Sequence, residues 1–525
     1  MRRTALPSFV RYSGEVVTGT VIERIQMLPL WLGLLVAGLS GFLLTLAMPG
    51  FDVPLLAWVG MAPLMVLLLT ATPSRVFALA LPFGVVFSVG VHNWYPQIFA
   101  PALGYFLIVA VGAFYAGVLQ LGVWLTHRLP SAVRVLGFPL TWSAVEFVKF
   151  VAPVVEDWWF VSLSASQWRF PAALQVLTVT GFPGLTFLIM LANVSVAFLV
   201  IGLARQGSWR AGLAGLAVVA VVVGSGACAL SVPTNTFRVA VVTDMVNQDP
   251  RVLAQGEFAG TVVNDPAVSQ AIFNVDAELT RQAAADQPAF VVWPENEFTS
   301  TDNTALLAQV GALAREMNSY IVVDALWPAE TGLHDTAVLM APTGEEVGRR
   351  AKINTTSGEQ DAGIVPGPLA FPTTTTPFGE VGVAVCWDVH RLWIARELAR
   401  TGAGMVLLPM DNDFEGTPTF PPFHAAEAVF RAAENRMSFA LSSVNGVSMV
   451  VDPYGRITAE DAINQSGIVV GETFMTDQRT PYTRFGDWFG WLEVGALVVL
   501  LVIARRPGRA DGRTPDPATP RPGPA

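Results

Sequence analysis

Between Leu30 and Leu230 the chain is a succession of long apolar runs separated by short polar breaks, and the same signal returns near the C-terminus. The runs cover residues 30–48, 54–71, 77–95, 103–126, 135–151, 184–203 and 211–230, with an eighth at 488–504. Each is close to the roughly 20 residues a helix needs to cross the hydrocarbon core of a bilayer. The pattern therefore predicts a seven-helix transmembrane region over 30–231 and an eighth membrane helix within 484–505. The fifth run carries Glu146 and Lys149. Being three residues apart, they share a helix face, where they either neutralise one another inside the bundle or mark a helix end at the interface.

Residues 232–483 follow another rhythm, in which short apolar runs alternate with polar helical segments and none reaches membrane length. Strands are predicted at 237–243, 289–294, 319–326, 336–342, 381–386, 404–409, 438–443 and 447–453. Helices are predicted at 265–285, 303–317, 391–402 and 423–436. Such alternation points to an α/β sheet layered with helices. A segment of about 250 residues is ample for one sizeable core. The tail, 506–525, is rich in Pro, Gly and Arg, has nothing to bury and is expected to be disordered.

Composition sharpens the membrane reading. Hydrophobic residues make up 52% of the chain and charged ones 14%, with a mean hydropathy of +0.50; ordinary globular domains carry about 25% charged residues. The arginines then orient the bundle. Arg2, Arg3, Arg11 and Arg24 precede the first run, and Arg505, Arg506 and Arg509 follow the last. Arg75, the group His127, Arg128 and Arg134, and the pair Arg205 and Arg210 occupy every second connection, with Arg169 the exception to the alternation. Both termini, 1–29 and 506–525, are thus expected in the cytoplasm and 232–483 on the outer side. The basic N-terminus reads as a signal anchor, since no small-residue cleavage site follows it and six further runs do. A net charge of −10 offers no basic groove and argues against nucleic acid as a partner.

The chain has two cysteines, Cys228 inside the seventh run and Cys386 in the outer segment, so they are not placed to pair. Active groups in layered α/β sheets sit where strands end and loops begin. Three such places carry conspicuous polar groups: "VVWPENEF" presents Glu295, "RRAKINTTSGEQ" presents Lys352 after a turn, and "VGVAVCWD" presents Cys386. Taken singly these are weak signals. A lone cysteine is usually an inert small hydrophobe, a glutamate after a strand usually a cap, and a lysine usually solvated. Together they form a coherent set, in which a carboxylate takes the thiol proton, the thiolate attacks a carbonyl and an ammonium stabilises the negative charge. The backbone N–H of Trp387 is placed to be a second oxyanion donor. The five histidines form no metal-ligand motif, so no metal is expected. His390 reads as the start of a solvated helix, and His424 and Arg431 as packing or salt-bridging groups on one helix. Glu434 reads equally as a holder of Lys352 or as an ordinary helix charge. Trp158, Trp159 and Phe160 read as an interfacial aromatic belt, with lipid-substrate contact the sharper alternative.

"VVWPENEF", "AKI" and "GVAVCWDVHRLWIARELARTGAGMVLLP" resemble the three catalytic blocks of the nitrilase, or carbon-nitrogen hydrolase, superfamily, and 431–457 resembles its closing segment. "LSGFLLTLAMPGFDVPLLAWVGMAPLMVLLL", the long apolar region and "TPYTRFGDWFGW" before the last run resemble one membrane-embedded branch, the apolipoprotein N-acyltransferases. Departures from that pattern lie in the loops. "KINTTSGEQ" lacks the usual Pro-Phe pair, leaving Glu359 as the nearest match to a supporting glutamate; Asp388 replaces a glutamate; Asn296 stands where Ser or Thr is commoner; and "DNDFEG" (411–416) has drifted.

The resemblance implies a multi-span α-helical membrane bundle carrying a nitrilase-like α-β-β-α sandwich at 232–483. It implies transfer of a fatty acyl chain from a phospholipid, through a thioester on Cys386, to the N-terminal amine of a lipoprotein's diacylglyceryl cysteine. Glu295 would be general base and acid, Lys352 the stabiliser of thiolate and oxyanion, with Trp387, Glu359 and Asp388 in support and no metal or diffusible cofactor. The implied setting is a bacterial cytoplasmic membrane, with a monomer acting on its outer side. Alternatives sharing the covalent step are a membrane-tethered amidase or hydrolase and an acyltransferase acting on a different amine.

Overall fold

The computed structural model describes residues 28–505 apart from 154, 156–160, 205–208, 234, 247, 256–265, 296, 297, 299–302, 413–416 and 418. The Trp158–Phe160 cluster, Asn296 and the terminal segments lie outside the described residues.

Helices occupy all eight apolar runs. They are α1 (Leu30–Ala47), α2 (Ala62–Thr70), α3 (Val76–Val91), α4 (Pro101–Arg128), α5 (Gly137–Val151), α6 (Phe182–Ala204), α7 (Arg210–Ala229) and, after the sheet domain, α12 (Trp488–Arg505). Six of these segments are long and apolar enough to cross a membrane: α1, α3 with its leading turn, α4, α6, α7 and α12. The second run departs from the expected single span. It breaks into Leu55–Val59 and α2, and Asn193 of α6 takes up the groups the break releases: Met61 N–H donates to its Oδ1 at 2.9 Å, and its Nδ2 donates to Ala57 O at 2.7 Å. Small residues bring other helices close. A Cβ on Gly84 of α3 would lie 2.0 Å from Gly112 O of α4, so only glycine fits that crossing.

Glu146 and Lys149 of α5 are both buried inside the bundle, which excludes the interfacial helix end. Glu146 accepts from Leu163 N at 2.8 Å and Thr186 Oγ1 at 2.6 Å, while Lys149 donates to Val161 O. The pair thus holds the 161–163 segment across the bundle.

The sheet domain, residues 232–483, contains helices α8 (Pro266–Gln282), α9 (Thr304–Met317), α10 (Leu392–Arg400) and α11 (Phe420–Asn435). Its strands are β1 (Phe237–Asp244), β2 (Phe290–Val292), β3 (Tyr320–Pro328), β4 (Leu333–Met340), β5 (Glu346–Ala351), β6 (Thr373–Thr376), β7 (Gly379–Val383), β8 (Met405–Asp411), β9 (Ser438–Val444), β10 (Met449–Val451), β11 (Ile457–Glu460) and β12 (Gly467–Thr473). The hydrogen-bonded order is β5-β4-β3-β2-β1-β9-β8-β7-β6, with β1 joining the two halves. Strand alternation sorts the side chains into layers. Val239, Val241, Val292, Val322 and Leu339 face Val383, Met405, Leu407 and Ala440 of the second half, forming a core between two sheet layers. Their neighbours Ala240, Val242, Val291, Ile321 and Val323 face outward and bury Phe273 of α8 and Val310 and Leu313 of α9. Val406, Leu408, Phe439 and Leu441 face the other way, onto α10 and α11. The result is the α-β-β-α sandwich.

Every one of the 16 residues of α11 is buried, because the sheet covers one side and the membrane bundle the other. Phe423, Ala426 and Phe430 line one small cavity together with Phe150 and Phe182 of the bundle. Phe420 stacks edge-on against Trp94 at 5.1 Å, and Thr419 Oγ1 donates to Asn93 Oδ1 at 2.7 Å. A polar helix pattern is therefore compatible with complete burial only because its charges are paired: Arg431 and Glu434 lie 2.8 Å apart, and Glu427 holds His390 Nδ1 at 2.9 Å.

Candidate active site

Strand β7 leads through Val385 to Cys386, which opens a short turn over Cys386–His390 with φ +41°, a left-handed conformation costly for a residue with a Cβ. The turn is fixed by Asp388. Its Oδ2 accepts from Val385 N at 3.3 Å and pairs with Arg350 Nη1 at 2.8 Å; its Oδ1 accepts from Ile353 N at 3.0 Å and Asn354 N at 2.8 Å. Asp388 therefore joins the turn that carries Cys386 to the loop that carries Lys352. Asn354 Nδ2 adds a bond to Trp387 O at 2.8 Å. The Cys386 thiol, almost wholly buried, donates to Asp411 O at the end of β8 across 3.9 Å.

Lys352 is the first residue after β5. Its backbone N–H donates to Asp335 O at 2.8 Å and its carbonyl accepts from Gly367 N at 2.7 Å, so the main chain is fixed on both sides. The side chain, 1% exposed, ends among three carboxylates: Glu295 Oε1 at 2.6 Å, Asp335 Oδ2 at 3.4 Å, and Glu359 Oε1 in direct hydrogen-bond contact. Glu359 is held in turn by a capping box with Thr356, whose N–H donates to Glu359 Oε2 at 2.6 Å. Glu295, three residues beyond β2, donates its backbone N–H to Met410 O at 3.2 Å. Oxygens of Glu295, Asp335 and Glu359 lie within 4.8 Å of one another, an arrangement able to hold a cation. The cation held there is the Lys352 ammonium.

Burial raises the Glu295 carboxyl well above the usual range; Lys352 opposes the rise, while Asp335, Glu359 and Asp411 add to it. For Lys352 burial acts downward, but Cys386, Glu295, Glu359 and Asp335 overcome it and hold the ammonium well above the lysine range. Burial also pushes the Cys386 thiol up, with Glu295 adding and Lys352 opposing. The resting cluster therefore holds a neutral thiol and a charged lysine beside a carboxyl that is ready to exchange a proton.

The fold thus brings Glu295, Lys352, Glu359 and Cys386 into one electrostatic cluster, with Asp388 behind it and Trp387 beside it. The Trp387 ring stacks on His390 with centroids 5.2 Å apart and meets His424 edge-on at 4.8 Å. Three readings of single residues need correction. Glu434 pairs with Arg431 and not with Lys352, because i, i+3 spacing on α11 puts that partner nearer. His390 is buried, since the bundle covers the turn that looked solvated. His424 reaches off its helix to Asn412 Oδ1, 2.7 Å from its Nδ1. Burial pushes the His424 imidazole well below the histidine range, with His390 and Lys352 adding to the effect. Asp335 and Arg350 were not singled out in the sequence. The available signal was a charged residue at a position where strand alternation places it inside.

Residues 40–195 match the apolipoprotein N-acyltransferase N-terminal domain, and residues 270–476 match the carbon-nitrogen hydrolase domain. An apolipoprotein N-acyltransferase of Geobacter metallireducens is 27% identical over 90% of this chain and 95% of its own length. Those of Gloeobacter violaceus and Brucella melitensis are each 25% identical over 92% of this chain and 96% of theirs. Among solved structures, a cysteine-to-alanine variant of the Nesterenkonia amidase from the nitrilase superfamily covers 48% of this chain and 95% of its own, at 19% identity and a TM-score of 0.39. With both domains side by side in one chain, and relatives of one name matching it nearly end to end, the chain belongs to the apolipoprotein N-acyltransferase family, the membrane-embedded branch of the nitrilase superfamily.

Proposed function

We propose that this protein N-acylates lipoproteins, moving a fatty acyl chain from a membrane phospholipid through a thioester on Cys386 to the α-amine of a diacylglyceryl cysteine. The observation that carries the reading is the Lys352 ammonium, buried among Glu295, Asp335 and Glu359 and within electrostatic range of Cys386.

In the first half-reaction Glu295 takes the thiol proton as sulfur attacks the ester carbonyl. Lys352 and the Trp387 N–H stabilise the oxyanion. As the intermediate collapses, the C–O bond breaks, Glu295 returns the proton to the leaving alkoxide, and a lysophospholipid departs. In the second half-reaction the lipoprotein amine attacks the thioester, Glu295 accepts the amine proton, and the thiolate leaves and is reprotonated by it. The raised Glu295 carboxyl suits a group that must both take and give a proton. Support for a lipid donor comes from the burial of α11 between sheet and bundle, which seats the catalytic sheet against the membrane helices.

The reading includes an orientation, with 232–483 outside and residues 1–29 and 506–525 in the cytoplasm. Supporting it, Arg75, His127, Arg128, Arg134, Arg210 and Arg505 all lie at the helix ends remote from the outer domain. A reporter fused at Pro366 should read as external; a cytoplasmic reading would overturn the orientation. The chemistry is tested by intact-mass analysis of purified protein incubated with phospholipid alone. An acyl-sized adduct on Cys386 that disappears on adding a diacylglyceryl peptide supports transfer. Release of free fatty acid with no acylated peptide would replace transfer by hydrolysis.

A further inference from the structure

The end of the bundle remote from the catalytic domain contains a cavity of about 270 Å³ where α1 begins, α2 ends and α3 begins. Leu30, Gly33, Leu67 and Leu79 line its apolar part, and Thr72 and Arg75 stand in the wall at the turn between α2 and α3. Gly33 sets its width, since a Cβ there would lie 2.9 Å from Leu79 Cδ2. Arg75 is exposed, and among the described residues its guanidinium makes no ion pair or hydrogen bond. The other cations at this end are engaged or farther along: Arg128 donates to Ala504 O at 3.2 Å, and Arg134 to Leu129 O at 3.4 Å. The described connections at this end (71–75, 129–136 and 209) contain no Asp or Glu. An apolar groove at membrane depth is filled by acyl chain rather than by water, and a spare guanidinium at its mouth complements a phosphate.

We propose that this groove binds one anionic glycerophospholipid, its phosphate on Arg75 and Thr72 and one acyl chain laid along Leu30, Gly33, Leu67 and Leu79. The site is separate from the acyl-transfer centre, which lies beyond the opposite ends of the same helices, about 27 Å away for an 18-residue helix such as α1. It selects lipid by headgroup charge, which the reaction at Cys386 does not require of it.

Native mass spectrometry of the full chain carrying Cys386→Ala tests this without turnover, using phosphatidylglycerol and phosphatidylethanolamine of the same acyl composition. One phosphatidylglycerol should bind in preference to phosphatidylethanolamine. Arg75→Gln should weaken it about fivefold, the scale of one basic side chain at an anionic surface, and Arg75→Lys should restore most of the preference. Gly33→Leu should reduce binding of that lipid while leaving Arg75 in place. Equal retention of phosphatidylglycerol by the parent and Arg75→Gln would overturn the proposal, as would equal binding of the two lipids by the parent. A photo-cross-linker at Leu79 distinguishes the occupants: capture of phosphatidylglycerol supports the site, and capture of residues 1–27 of the chain would assign the groove to that segment instead.

Discussion

Arg350 Nη1 lies 2.8 Å from Asp388 Oδ2, and neither side chain has meaningful access to water. This pair ties the last turn of β5 to the turn after β7, and so sets the distance between Lys352 and Cys386 from behind the site.

Asp388→Ala should therefore be costly. It removes the charged partner of a buried guanidinium and the acceptor of three backbone N–H groups, those of Val385, Ile353 and Asn354, a loss on the order of 3–5 kcal/mol. Asp388→Asn keeps an acceptor oxygen and should cost less. Thermal unfolding in detergent should rank the two in that order, and equal melting points would show that the ion pair contributes nothing.

Cys386→Ala should abolish the acyl adduct and turnover, and Cys386→Ser should nearly do so because a hydroxyl is far harder to ionise. Glu295→Gln should lower kcat by about 10²–10⁴-fold. Lys352→Met should be comparably damaging, and the double variant no worse than the poorer single, since the groups act as a unit. Cys228→Ala, on the exposed face of α7, should leave the rate unchanged.

Asp335→Asn and Glu359→Gln each remove a negative charge that raises the Glu295 carboxyl. Its pKa should fall, and the acid limb of kcat/KM should move to lower pH in both variants. Gln at position 359 preserves the capping box, so the shift should not be accompanied by unfolding. An unmoved acid limb would remove Glu295 as the titrating base.

Glu434 is raised to about 7, first by burial, with Asp487 adding and Arg431 and Arg396 opposing. An acid whose folded pKa lies above its unfolded value binds more protons when folded. Stability should thus be greatest below the unfolded value of 4.5 and fall as pH rises to about 7, by about 3 kcal/mol at most. Glu434→Gln should flatten that interval of a melting-temperature profile, and an unchanged slope would remove Glu434 as the titrating group.

Asn193→Leu should leave Met61 N–H and Ala57 O without partners where the second run breaks. A loss of about 1–3 kcal/mol per orphaned group is expected, read as a lower melting temperature with the acyl adduct still formed in the surviving protein.

The apolar runs revealed the bundle because membrane thickness imposes a length that composition alone displays. The break at Gly60 was hidden because its remedy, Asn193, lies 132 residues from Met61. In the sandwich, strands buried on both faces, such as 381–383, stand out as apolar runs. Strand β5, with the sequence Glu-Val-Gly-Arg-Arg-Ala, and β6, four threonines, sit at the edges and carry no such signal. Cys386, Lys352 and Glu295 were legible because each follows a strand. Asp335 was not, although alternation along β4 puts it on the inner face with Ala337 and Leu339, because its partner Lys352 comes from the next strand's end.

The complete enclosure of α11 has a consequence for how this protein can be divided. A fragment cut at residues 232–483 would turn Phe423, Ala426 and Phe430 toward water, and with them the wall that carries Phe420 up to Trp387. The sheet with its thiol is not a passenger on a membrane anchor. The bundle is its fifth layer, and a change that tilts those helices acts directly on the packing of α11 and, through Phe420, on Trp387 beside the thiol.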